Sequence, residues 1–225
     1  MDKPNSPVFN FFRKILGRQV ITPVEQHVPL NEGIQFQRFE TTYPKQYPPL
    51  IDQLREALKY RSFIEEAAKG YYLQPSVIAG MGSRESAWGL TLKPLGPGGR
   101  GDFAKRLPRG NRTTPEPPDG PGYGRGLMQI DYDWHEFART GRWQSPRENI
   151  FYAGSLLANF REELKKKGMR NHLLLRATLA AYNGGVTATW NAYQEGLDID
   201  ANTTGKDYSK EVLNRSGWFQ LHGWQ

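Results

Sequence analysis

The chain has 225 residues, with 30 Lys plus Arg against 23 Asp plus Glu, a formal charge of +7 and no cysteine. The missing cysteine excludes a disulfide scaffold, a thiolate zinc or iron–sulfur centre and a Cys nucleophile. His27, His135, His172 and His222 are scattered without H-x-x-x-H spacing, and no run of about 18 apolar residues is present, so neither a histidine metal site nor a membrane-spanning helix is expected. The positive charge suits nucleic acid, an anionic membrane surface or an acidic polymer as partner, and equally plain solubility.

Near the start, the apolar cluster from Val8 to Phe12 is interrupted by Arg13 and Lys14, and no small-residue cleavage site follows, which is not the pattern of a secretory signal peptide. Residues 1–49 hold seven prolines and little periodicity, reading as an N-terminal arm, extended or partly disordered. The remainder, 50–225, reads as one domain. Leu50, Leu54, Leu58, Phe63, Ala67 and Ala68 predict a helix that Gly70 ends. Pro75 opens the next, with Val77, Ile78 and Met81 at helical spacing. From Pro94 to Gly126 there are nine Gly and seven Pro, a long irregular excursion with an insert at about 94–123. Ser145-Pro146-Arg147-Glu148 is a capping box, and the helix it opens is expected to run to about Lys167. Leu173 to Tyr182 predicts a buried helix closed by Asn183-Gly184-Gly185. Val186–Tyr193 and Asp207–His222 predict two more. The fold class is mainly α, a helical bundle with a small irregular or β region and a long Gly/Pro-rich loop.

Glu85 falls on the apolar stripe with Ile78 and Met81, where a carboxylate needs a partner or a purpose. Desolvation there raises a carboxyl pKa, as a general acid requires; a salt bridge to Arg84 or another Arg is the plainer alternative. Asp131 follows Gly124-Arg125-Gly126-Leu127-Met128-Gln129-Ile130, whose glycines permit a sharp turn. It either ends a short strand or caps the next helix. Asp119 and Asp102 are loop carboxylates beside glycines, as turn residues commonly are. Tyr182 and Asn183, at a helix end, cap it and can line a cleft. Trp88, Trp134 and Trp143 flank these residues and are expected in the core. No helix-turn-helix, RRM or zinc-finger signature is present, so nucleic acid is not an expected partner.

Four segments come in a fixed order: Ser83-Arg84-Glu85-Ser86, Gly126-Leu127-Met128-Gln129-Ile130-Asp131, Ala181-Tyr182-Asn183-Gly184-Gly185, and Asp207-Tyr208 running on to His222-Gly223-Trp224. In that combination the chain resembles goose-type lysozyme over roughly Leu50 to Trp224. The related lytic transglycosylases share the Glu-Ser, Gly-Leu-Met-Gln and Ala-Tyr-Asn elements. The resemblance implies an α+β lysozyme-like fold with the Gly/Pro-rich loop beside the cleft. It implies Glu85 as the general acid and Asp131 as a residue that helps hold the attacking water. The family's second aspartate falls at Asp119, with Asp102 as competitor. The resemblance also makes Gln129, Tyr182, Asn183 and Tyr208 substrate-binding or cleft-lining residues. The separation of Glu85 from Gly126, 41 positions, is about twice that expected of the family's vertebrate members.

The activity so implied is cleavage of the β-1,4 bond between N-acetylmuramic acid and N-acetylglucosamine, with inversion. An inverting pair of carboxyl groups stands roughly 6.5–9.5 Å apart. The alternatives are a lytic transglycosylase forming 1,6-anhydromuramic ends, which needs no positioned water, and a catalytically retired wall-binding module. No cofactor or metal is expected. The expected partner is the peptidoglycan glycan strand, with an immunity or inhibitor protein or a delivery complex as further candidates, and the chain is expected to be monomeric. The place of action is the bacterial wall, periplasmic or extracellular. Lys93 to Arg112 carries six basic residues and one acid, Asp102, so +5 of the +7 lies in the insert, predicting a basic lip that captures anionic wall polymers.

Overall fold

The computed structural model describes residues 36–92 and 123–225. Eight α-helices and one two-stranded antiparallel hairpin occur among them: α1 Pro48–Leu58, α2 Arg61–Tyr71, α3 Pro75–Ser86, β1 Gly124–Arg125, β2 Ile130–Asp131, α4 Phe137–Thr140, α5 Pro146–Lys166, α6 Asn171–Gly184, α7 Val186–Gln194 and α8 Tyr208–Gln220. The mainly helical, lysozyme-like class expected from the sequence is the one observed. The insert, with its basic lip, Asp102 and Asp119, lies outside the described residues.

Local sequence signals account for most boundaries. Pro75 opens α3 at a position whose N–H has no helical partner to lose. Ser145 caps α5 by accepting a hydrogen bond from the Glu148 amide. Gly185, at φ +87°, closes α6, its N–H returning to the Ala181 carbonyl. One expectation fails. The helix read from Leu50 to Gly70 is two helices, broken at Lys59-Tyr60. Tyr60 leaves helical geometry at φ −114°, ψ 10°, and its ring stacks on Trp88, 6.0 Å between centroids. A tertiary aromatic contact overrides a continuous hydrophobic period. The second helix also runs through Gly70 and stops where Tyr72 turns left-handed.

The core that positions the site is the packing of α3 on α8. A Cβ on Gly80 would come within 2.5 Å of Ser216 Oγ and 2.7 Å of the Val212 carbonyl oxygen, so glycine is what admits so close an approach. Leu50, Ile64, Val77, Ile78, Met81, Leu127, Met128, Ile150, Leu157, Val212, Trp218 and Phe219 fill the interior around it. A smaller cluster of Leu164, Met169, Ala177, Ala180, Ala181, Val186 and Ile199 sits where α5, α6 and α7 meet. Residues 36–47 lie along α8, with the Phe39 amide donating to Gln220 Oε1, Thr42 to Asn214 Oδ1, and Trp218 Nε1 to the Pro44 carbonyl.

Candidate active site

Three elements bring the chemistry together: the C-terminal end of α3, the β1–β2 hairpin and the N-terminal end of α8. Glu85 sits in the last turn of α3 and is 9% exposed. Just beyond it, Ala87 and Trp88 both have positive φ, 49° and 54°. Trp88 is held there by burial at 1% exposure and by Nε1 donating to the Ala79 carbonyl at 2.9 Å. Such backbone is costly for residues with a side chain and persists only where the surroundings over-determine it. It fixes the direction in which α3 ends. The neighbouring Ser86 hydroxyl donates to the Leu127 carbonyl at 2.7 Å and accepts from the Gly89 amide at 3.0 Å, tying that end to the hairpin.

The hairpin pairs Gly124 with Asp131 and Arg125 with Ile130. Gly126 has φ +70° at the start of its turn, and Gln129 has φ 50° at its end. A Cβ on Gly126 would lie 2.4 Å from Asn149 Nδ2, so the glycine is required by both conformation and space. Asn149, fully buried on α5, clamps the turn from both sides. Its Nδ2 donates to the Arg125 carbonyl at 3.0 Å, and its Oδ1 accepts from the Met128 amide at 2.8 Å. The Gln129 side chain turns inward, 6% exposed, and donates to the Gly126 carbonyl at 2.9 Å. Asp131 ends β2 and accepts from the Asp133 amide at 2.9 Å, so it closes a strand and starts a tight turn rather than capping a helix.

Tyr208 opens α8 and is 2% exposed, with its hydroxyl donating to Glu85 Oε1. Tyr182 reaches from α6, and its hydroxyl donates to the Met128 carbonyl at 2.6 Å. Burial pushes both phenols well above their ordinary range, and the Glu85 charge adds to it in each case. Both therefore keep their protons and act as donors. Arg84 does not fill the salt-bridge role weighed for Glu85: its Nη2 lies 3.8 Å from Asp207 Oδ1, and its guanidinium sits over the Tyr208 ring.

The position of Tyr208 is set by Asp200, a residue that the sequence reading did not single out. Its carboxylate is fully buried and accepts from the Ser209 amide at 2.8 Å, the Ser209 hydroxyl at 2.7 Å and Arg176 Nη2 at 3.3 Å. A carboxylate on the first amides of α8 caps that helix from outside it. Asn183 is exposed and supports the same region, its Oδ1 accepting from the Thr204 amide at 2.8 Å.

On the far side of Asp131, His135 and Tyr152 form a second unread pair. The His135 amide donates to the Asp131 carbonyl at 3.1 Å, and its Nδ1 lies 3.3 Å from the Tyr152 hydroxyl. Burial brings the imidazole down to about 4, with Arg139 helping and Asp131 opposing. It is neutral at neutral pH. The only sequence signal for it was its place four residues after Asp131. No group of three or more His, Cys, Asp or Glu able to hold a metal occurs among the described residues.

A buried carboxyl at a helix end, a phenol donating to it and a second carboxylate at the end of the hairpin are residue types that a carboxyl-based glycosidase uses. Comparison with known proteins makes the class specific. The family model for Lysozyme g matches residues 106–223, taking in Asp131, Tyr182, Asn183 and Tyr208, with Glu85 N-terminal to the match. The chain is 32% identical over 168 residues to a lysozyme g of Cyprinus carpio, covering 74% of this chain and 75% of that one. It is 33% identical over 165 residues to one from Takifugu rubripes, covering 72% and 74%, and 30% identical over 168 residues to one from Gallus gallus, covering 74% and 66%. The chain belongs to the lysozyme g family, the goose-type lysozymes. It is accordingly a glycoside hydrolase whose substrate is peptidoglycan. No helix among the described residues is long and apolar enough to cross a membrane.

Proposed function

We propose that the enzyme hydrolyses the β-1,4 bond between N-acetylmuramic acid and N-acetylglucosamine with inversion at the anomeric carbon. Glu85 is the general acid. Its proton passes to the glycosidic oxygen as the bond to the anomeric carbon breaks, and the ring carbon takes on oxocarbenium character. Asp131, with Asp119 or Asp102 from the insert, takes the proton of a water that attacks from the opposite face. Tyr208 donates a hydrogen bond to the carboxylate that Glu85 becomes, favouring the transfer at the moment charge develops. Tyr182, anchored on the Met128 carbonyl, orders the wall between acid and hairpin.

The observation that carries this reading is the Glu85–Tyr208 pair, buried at the junction of α3 and α8 and joined to the Asp131 hairpin through Ser86 and Tyr182. Proton NMR of fresh digests of a soluble N-acetylhexosamine oligosaccharide tests it, with the α-anomer expected to appear first. Initial β-anomer would mean retention. Muropeptides ending mainly in 1,6-anhydromuramic acid would replace hydrolysis by transglycosylation. Peptidoglycan lies outside the cytoplasmic membrane, so the reaction is placed at the bacterial wall.

A further inference from the structure

Trp134 was expected in the core with Trp88 and Trp143. Those two are 1% and 6% exposed, but Trp134 is 72% exposed, more than any other large hydrophobic side chain among the described residues. Its side chain is largely open to water, yet its backbone is tightly held. The Asp133 amide donates to Asp131 Oδ1 at 2.9 Å, and the His135 amide donates to the Asp131 carbonyl at 3.1 Å, closing a turn around Trp134. Arg139 Nη1 donates to the carbonyls of Tyr132 at 2.5 Å and Asp133 at 3.1 Å. On the C-terminal side, the His135 ring packs edge-on against Tyr152, 5.7 Å between centroids. The turn thus presents a large aromatic face to water, three residues after Asp131. An indole has few torsions to freeze, so covering it costs little conformational entropy.

We propose that Trp134 is a sugar-stacking platform, holding an N-acetylhexosamine unit of the glycan strand outside the pair that reacts. The inference rests on the muramidase reading above. A pyranose has an apolar C–H face and a polar rim. Trp134 offers a flat apolar face, and Asp133, Glu136 and Arg139, within five residues of it in the chain, are polar side chains of the kind that meet a sugar's hydroxyls and amides. The substrate is a polymer, so a unit beyond the scissile bond is always present to occupy the ring. Because the turn begins at Asp131 itself, a sugar on Trp134 also sets the register of the strand against the residue proposed to hold water.

The test uses the full chain carrying Glu85→Gln, which prevents turnover, titrated with chitohexaose by calorimetry and by tryptophan emission. Adding Trp134→Ala is expected to weaken binding about tenfold, equivalent to ~1.4 kcal/mol, and to abolish a binding-induced blue shift. Trp134→Tyr should retain most of the affinity. In the active chain, Trp134→Ala should raise the apparent KM for wall lysis while leaving kcat within about twofold, the signature of lost uniform binding. Unchanged chitohexaose affinity and unchanged KM would overturn the proposal. So would loss of self-association on Trp134→Ala with affinity intact, which would make the ring a contact between copies. If Glu85→Gln alone still lysed walls, the assignment of Glu85 as the acid would fall, while the titration would still report on Trp134.

Discussion

Asn149 offers the sharpest test of how the hairpin is held. Asn149→Leu keeps the side chain's approximate volume and removes both of its hydrogen bonds. The Met128 amide and Arg125 carbonyl would then lose these partners at a site where Asn149 itself is fully buried. Each buried polar group left unsatisfied costs about 1–3 kcal/mol, so the variant should lose about 2–6 kcal/mol of stability. Urea unfolding followed by circular dichroism measures this, with the midpoint falling and the m-value unchanged. Lytic activity, assayed well below the new transition, should also fall, because Asp131 ends the hairpin whose turn the clamp fixes. A stability change under about 0.5 kcal/mol, within the range of ordinary surface substitutions, would refute the clamp. Full activity in a destabilised but folded variant would show that the hairpin finds its position without α5.

Tyr208→Phe should reduce wall lysis by about tenfold or more, the scale of a lost transition-state hydrogen bond, with the melting temperature as control. The alkaline limb of its pH–activity profile should also move upward, because the lost hydrogen bond favours the ionised carboxylate. His135 contributes a pH-dependent stability of opposite sense. Its folded value of about 4 lies below the free value of about 6.5, so the unfolded chain binds more protons between them. Stability should fall as pH drops through that window, by at most about 3 kcal/mol, and His135→Gln should flatten this fall. Neutralising Lys93, Arg100, Lys105 and Arg106 together should weaken wall binding at low salt and change little at about 1 M, where screening acts within about 3 Å. Equal loss at both salt concentrations would make the segment structural.

The sequence carries the local signals well. Ser145 and Pro146 start α5, Pro75 starts α3, and Gly185 ends α6, because caps and proline geometry act within a few residues. Glu85 was visible as a carboxylate on an apolar stripe, and its ordered companions pointed to the family. Long-range effects were not legible. Tyr60 breaks a helix because of a ring 28 positions away, Asn149 looks like any polar residue in a first helical turn, and Asp200 gains its role only when it meets α8. Trp134 shows the limit most plainly. An aromatic residue favours the core on average, and only the turn locked by Asp131, Asp133 and Arg139 keeps this one in water.

The central claim is that Glu85 delivers the proton that breaks the glycosidic bond. Glu85→Gln preserves the shape of the side chain and its contact with Tyr208 while removing the acid. Lysis of purified walls by this variant, compared with the parent at matched folded concentration, tests the claim directly. The account predicts a loss of at least 10²–10⁴-fold, roughly the contribution of a positioned general acid. Lysis at the parental rate would contradict it and move the catalytic acid elsewhere in the chain.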